Sequence, residues 1–258
     1  MIEEEVEIPT ADGTAGGLLY RAEEDTGAGG RREPGVIFLT DIGGIRPSQR
    51  GMARRLAGAG YTVLMPNIFY RTGEPPVIDL SPGFEDEGVK GRLAELRASL
   101  PPEAVERDAA AYVDFLAAQD SVGEGGMGVV GFCFAGGLAL RIAAARPDRI
   151  AAAASFHGGG LATDAPTSPH LLLPRINKAR LYFGHATQDR GMPEAAIERL
   201  DRALDAWGGS YESEVYEGAR HGWTVPDSPV YDEPQAERAF QKLTELFAET
   251  LRNPEGRG

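Results

Sequence analysis

Cysteine occurs only once in these 258 residues, at Cys133. A single cysteine cannot close an internal disulfide, and a reducing cytoplasm is therefore the expected compartment. No run approaches the ~18 consecutive apolar residues that span a bilayer. The opening Met1-Ile2-Glu3-Glu4-Glu5-Val6 has neither the basic nor the apolar region of a secretory signal. Positive charge is scarce as well: 26 Lys and Arg stand against 39 Asp and Glu, a formal charge of −13. That balance argues against nucleic acid and against an anionic membrane surface as partners. The histidines and carboxylates lack the tight spacing of a zinc site, and Gly131 to Gly137 has the wrong spacing for a P-loop or a dinucleotide fingerprint. Neither a metal nor a cofactor is expected. With no internal repeat and no long linker, a single domain over residues 1–258 is expected, large enough to bury a substantial core.

What is present is an alternation of apolar strands and amphipathic helices. Residues 3–9 read as an edge strand, paired through the Asp12-Gly13 turn signal to a strand at 13–22. The Gly- and charge-rich stretch 26–33 reads as a surface turn. Val36-Ile37-Phe38-Leu39-Thr40 and Tyr61-Thr62-Val63-Leu64-Met65-Pro66 are short apolar runs typical of strands buried on both faces. A helix at 48–59 separates them. Residues 67–100 are irregular, with one short helix near 91–99, and a segment of that kind suggests a cap or binding loop. A helix follows from Pro101-Pro102 to about 118. Further strands are expected at 126–132, 150–156, 180–184 and 211–216, and further helices behind Cys133, at 193–207 and at 234–251. Such a pattern implies an α/β fold, a doubly wound and mostly parallel sheet with helices on both faces and an antiparallel start. Ligands bind such sheets at the carboxyl ends of the strands. Asp41, Asn67, Cys133, His157, His185, Asp189 and His221 all fall there.

Cys133 lies between a β-branched strand and a helix, with Gly131 two residues before it and Gly136 three residues after. This is the pattern of a nucleophile elbow, in which small neighbours let strand and helix pack around a strained turn. A free thiol has a pKa of ~8.5, so a nucleophilic cysteine needs a helix N-terminus or an imidazole beside it. His221 is the best base, in a loop ahead of the last helix, with His185 as its rival. Asp189 fits the acid slot in the order nucleophile, acid, histidine, where it would orient the imidazole. The oxyanion hole should use the backbone N–H of Phe134 together with that of Ile42, in the loop Thr40-Asp41-Ile42-Gly43-Gly44. His157 either lines the pocket or satisfies a backbone group, and His170 reads as structural.

Gly131-Phe132-Cys133-Phe134-Ala135-Gly136, Asp189 and Ala219-Arg220-His221-Gly222-Trp223 resemble the motifs of the dienelactone hydrolase (carboxymethylenebutenolidase) family. That family is a cysteine-using branch of the α/β-hydrolase fold. Thr40-Asp41-Ile42-Gly43-Gly44 adds to the resemblance, which runs roughly from residue 5 to residue 251. It implies that a small-molecule lactone or activated ester is hydrolysed through Cys133, His221 and Asp189, without a cofactor, by a monomer or homodimer. It also implies a role for Asp41, which would contact the resting thiol and help to deprotonate it when substrate arrives. Two departures stand out. Ala135 replaces a usual glycine, and Val225 occupies the place of one of the arginines that grip the dienelactone carboxylate. Arg92, Arg97, Arg71 and Arg46 are the remaining candidates for that grip. Phe69, Tyr70, Arg71, His157 and Trp223 are accordingly the expected substrate-binding residues. The same triad would also serve an acyltransferase or a thioesterase. A non-catalytic relative binding a ligand, or sensing oxidants through Cys133, is the reading from another class.

Overall fold

The computed structural model describes residues 1–23 and 32–252. The chain divides into two compact units, Met1–Gly123 and Glu124–Gly258. Residues 26–31 of the expected turn lie outside the described residues.

The first unit opens with β1 (Ile2–Thr10) and β2 (Gly13–Arg21), an antiparallel pair whose register runs from Ile2 opposite Arg21 to Thr10 opposite Gly13. β3 (Gly35–Leu39), α1 (Pro47–Gly58) and β4 (Thr62–Pro66) follow. The strand order is β1-β2-β4-β3, with β2 antiparallel and β3 parallel to β4. All five residues of β3 and all five of β4 are buried. Their continuous apolar character is therefore that of strands covered on both faces rather than an alternating pattern. α2 (Glu87–Ala98) begins four residues earlier than its apolar pattern suggests. The Asp86 carboxylate accepts from the N–H groups of Gly88 and Val89, so the cap and not the apolar face decides where the helix starts. α3 (Pro102–Ala117) starts with proline in its first turn, where the missing N–H leaves no partner unsatisfied.

The second unit contains β5 (Met127–Phe132), α4 (Ala135–Ala145), β6 (Ile150–Phe156), β7 (Arg180–Ala186), α5 (Glu194–Trp207), β8 (Tyr211–Tyr216) and α6 (Glu233–Phe247). Its strands lie side by side in chain order, and every pair is parallel. β6 contains Ala151 to Ala154, four residues that favour helix intrinsically, and forms a strand all the same. Pairing on both edges and burial of the segment outweigh local propensity there. A Cβ at Gly128 would meet the Phe247 ring of α6, and one at Gly131 would meet the first turn of α4. Because successive strand residues point to opposite faces, α4 and α6 cover opposite sides of β5. A 3₁₀ turn spans Pro169–Arg175, and the chain's last described helix closes with a π turn, Ala248–Arg252.

Candidate active site

β5 ends at Phe132, and Cys133 takes a left-handed backbone conformation with φ of 57°. For a residue with a Cβ this conformation costs ~1–2 kcal/mol. Two glycines make the turn possible. A Cβ at Gly131 would come within 2.0 Å of the Ala135 carbonyl oxygen, and one at Gly136 within 2.0 Å of Ser155 Oγ. Strand, turn and helix are thus in direct backbone contact, and Cys133 is turned outward at the start of α4. Ala135 is fully buried in the first turn of that helix. A methyl group is accommodated at the position where the sequence departs from the family pattern.

The side chain of Cys133 meets a histidine 88 residues further along the chain. His221 Nε2 lies 3.0 Å from Cys133 Sγ, and His221 Nδ1 lies 2.6 Å from Asp189 Oδ2. The other carboxylate oxygen of Asp189 accepts from the Gly191 N–H at 2.7 Å, so both oxygens are held. Asp189 is nearly inaccessible, with 4% of its side chain exposed, whereas His221 is partly exposed. Burial by itself pushes the His221 imidazole down. Its hydrogen bonds to Asp189 and Cys133 act in the opposite direction and raise it to about 10. Gly222, directly after His221, has φ of 102°, a value that side chains other than hydrogen rarely adopt. It turns the loop so that the imidazole faces the sulfur.

His185, the rival base, is not beside the thiol. It is 1% exposed, its Nε2 contacts Ser213 Oγ at 3.2 Å, and Ser213 in turn donates to Asp201. Burial pushes its pKa down to about 4.

Residues 20–251 match the sequence model of the dienelactone hydrolase family. The chain belongs to this family. A carboxymethylenebutenolidase from Rhodococcus opacus is 29% identical over 235 residues, covering 89% of this chain and 85% of that one. A Synechocystis sp. protein, named as a candidate carboxymethylenebutenolidase, is 28% identical over 226 residues, covering 85% and 87%. Among solved structures, a candidate dienelactone hydrolase from Klebsiella pneumoniae superposes with a TM-score of 0.82 at 24% identity, covering 96% of this chain and 98% of that one. The fold is that of the α/β-hydrolases, as the strand and helix pattern implies.

The remaining expected site residues of this dienelactone hydrolase family member have varied surroundings. Asp41 is gripped by Arg46 through two hydrogen bonds of 2.6 and 2.8 Å, by Gln49 Nε2 at 3.0 Å and by the Gly43 N–H at 2.9 Å. Ile42 is buried beside it, in the first unit, and Phe134 follows Cys133 in the second. Arg71 is held by Asp108 and Asp12, and Tyr70 donates to Asp108. Asp108 is itself buried, so the Arg71 guanidinium is engaged in an internal ion pair. Arg92 donates to the carbonyls of Val77 and Thr72 and pairs with Glu95, while Arg97 is exposed on α2. Phe69 is fully buried and Val225 nearly so. Trp223 is fully buried too, packed against Tyr216 and edge-on to His157. It packs beneath the histidine loop. His157 is 1% exposed, with Nδ1 accepting from the Cys133 N–H and Nε2 in contact with Thr224 Oγ1. His170 contacts Ser168 Oγ in the 3₁₀ turn.

Two participants carry no strong sequence signal, Gly191 as the donor to Asp189 and Thr224 as the partner of His157. The first was legible in principle, because an aspartate whose side chain bonds the N–H two residues on is a common turn. Among the described residues, no group of three or more His, Cys, Asp or Glu could hold a metal ion, and no helix is long and apolar enough to cross a membrane. A cavity of about 770 Å³ in the first unit is lined by Glu5, Glu7, Arg50, Asn67 and Glu74 among others, and of the strand-end residues named above only Asn67 is in its lining.

Proposed function

We propose that the protein hydrolyses an uncharged lactone or small activated ester through a thioester formed on Cys133. The Cys133 thiol gives its proton to His221 Nε2 as the sulfur attacks the carbonyl carbon, and the negative charge that develops on the carbonyl oxygen is met by the Phe134 N–H at the positive end of α4. The tetrahedral adduct collapses as the C–O bond to the leaving group breaks, and the imidazolium of His221 gives its proton to the departing alkoxide. His221, now neutral, takes a proton from water, whose oxygen attacks the thioester. Loss of the thiolate releases the carboxylic acid, and the proton on His221 returns to the sulfur to restore the enzyme. Asp189 holds the imidazole in the orientation and tautomer that both proton transfers need.

The observation that carries this reading is the continuous set of contacts from Cys133 Sγ through His221 to Asp189, at 3.0 and 2.6 Å. An uncharged substrate is favoured because three of the four candidate arginines, Arg46, Arg71 and Arg92, are bound within the protein, and because the family resemblance puts Val225 in the place of an arginine that grips a carboxylate. The test is hydrolysis of p-nitrophenyl acetate and simple lactones by the wild type and by Cys133→Ala, with mass spectrometry of the quenched enzyme. The wild type should turn over and carry an acyl group on Cys133, and the variant should do neither. Equal rates for the two proteins would refute the proposal. A clear preference for carboxylate-bearing lactones would refute the uncharged substrate class alone.

A further inference from the structure

We infer that His157 is a positioning residue that braces the Cys133 turn against the loop carrying His221, acting as a neutral imidazole with its proton on Nε2. The inference rests on the proposed role of Cys133 and His221. Phe132 and Phe156 are paired in register at the ends of β5 and β6. The residues that follow them, Cys133 and His157, are consequently neighbours. Both have left-handed backbones, with φ of 57° and 41°. The Cys133 N–H is directed at two acceptors, the Phe156 carbonyl at 3.1 Å and His157 Nδ1 at 3.1 Å. Accepting that bond requires Nδ1 to be without a proton, so the proton resides on Nε2 and is donated to Thr224 Oγ1 at 2.8 Å.

Thr224 lies three residues after His221. One planar ring thus ties the backbone of the nucleophile to the loop of its base. The ring also stands edge-on to the His221 imidazole, with centroids 5.2 Å apart, and edge-on to Trp223 at 5.0 Å. His157 touches no reacting atom in this arrangement. Its effect is on where Sγ and Nε2 sit relative to each other, a separation to which rates are steeply sensitive. The position of the His157 backbone is fixed independently, because its own N–H donates to the Gly184 carbonyl at 2.7 Å.

Two substitutions divide the brace. His157→Asn keeps an oxygen near the place of Nδ1 for the Cys133 N–H and suits a left-handed backbone, but it loses the bond to Thr224. His157→Gln can reach toward Thr224 and offers nothing at Nδ1. On an ester substrate we expect His157→Gln to lower kcat about 10- to 100-fold with KM unchanged within about twofold, as for a misplaced nucleophile. His157→Asn should recover only part of that loss, because it keeps the Cys133 end of the brace and cuts the Thr224 end. The alkylation rate of Cys133 by iodoacetamide at neutral pH should follow the same order. It reads the brace even if no ester is hydrolysed by the wild type, so failure of the hydrolase reading is separable from failure of this one. Urea unfolding of each variant reports its stability. Equal losses in both variants that track the loss of stability, or alkylation within twofold of wild type in both, would overturn the inference.

Discussion

Replacing Asp189 by asparagine isolates the tautomer of His221 from its position. Asparagine matches aspartate in shape, and the Gly191 N–H at 2.7 Å from Oδ1 dictates which way its amide turns. The amide oxygen must face that donor, because an NH₂ group there would set donor against donor. The NH₂ group then occupies the place of Oδ2, 2.6 Å from His221 Nδ1 in the wild type, and donates to it. Nδ1 becomes an acceptor, the ring proton moves to Nε2, and a neutral imidazole facing Cys133 can no longer take a proton. The lost charge-assisted bond is worth ~1.5–3 kcal/mol, or roughly 10- to 200-fold in rate. The wrong tautomer adds to this, and the same replacement in a serine protease lowers kcat about 10⁴-fold. A thiol is more readily deprotonated than a hydroxyl, so a fall in kcat of about 10²- to 10⁴-fold is expected, with little change in KM. The assay is steady-state hydrolysis of p-nitrophenyl acetate, with thermal unfolding as the control on folding. Activity within threefold of wild type in a folded Asp189→Asn protein would refute the reasoning.

The pH behaviour of His221 provides a second check. Its folded pKa is raised from 6.5 to about 10, so its pairing contributes stability that is fully present below pH 6.5 and is lost as the pH rises through 10. Urea midpoints should fall across that window, less so in Asp189→Asn, and NMR should show the ring titrating well above neutrality rather than near 6.5. Gly131→Ala should lower stability by about 3 kcal/mol in urea unfolding, since the added Cβ would meet a backbone carbonyl at 2.0 Å with no room to yield. A stable, active variant would contradict the close strand and helix contact. Arg71→Ala should cost about 3 kcal/mol by leaving buried Asp108 without its cation, while KM for any ester stays unchanged. A raised KM without a loss of stability would return Arg71 to substrate binding.

Much of this was legible in the residues because it is local. Strands β3 and β4 follow directly from apolar, β-branched-rich runs bounded by turn residues, and the elbow from small residues at fixed offsets around Cys133. The start of α2 was missed because a cap, and not periodicity, sets it. Phe69, Arg71 and Trp223 were expected to bind substrate from residue type and position. Their actual partners, an internal ion pair for Arg71 and aromatic packing for Trp223, depend on segments far away in the chain.

The sequence by itself determined the family, through motifs that resemble it, and the fold class, through the alternation of apolar strands and amphipathic helices. Which histidine meets the sulfur was decided only by the tertiary structure. His221 follows β8 and precedes α6, and His185, expected just past a strand, is the penultimate residue of β7 ahead of α5. Strand pairing and the turn at Gly222 bring one of them to 3.0 Å from Sγ, and burial against Ser213 holds the other away. The brace through His157 is of the same kind, because it exists only where the register of β5 and β6 sets two chain segments side by side.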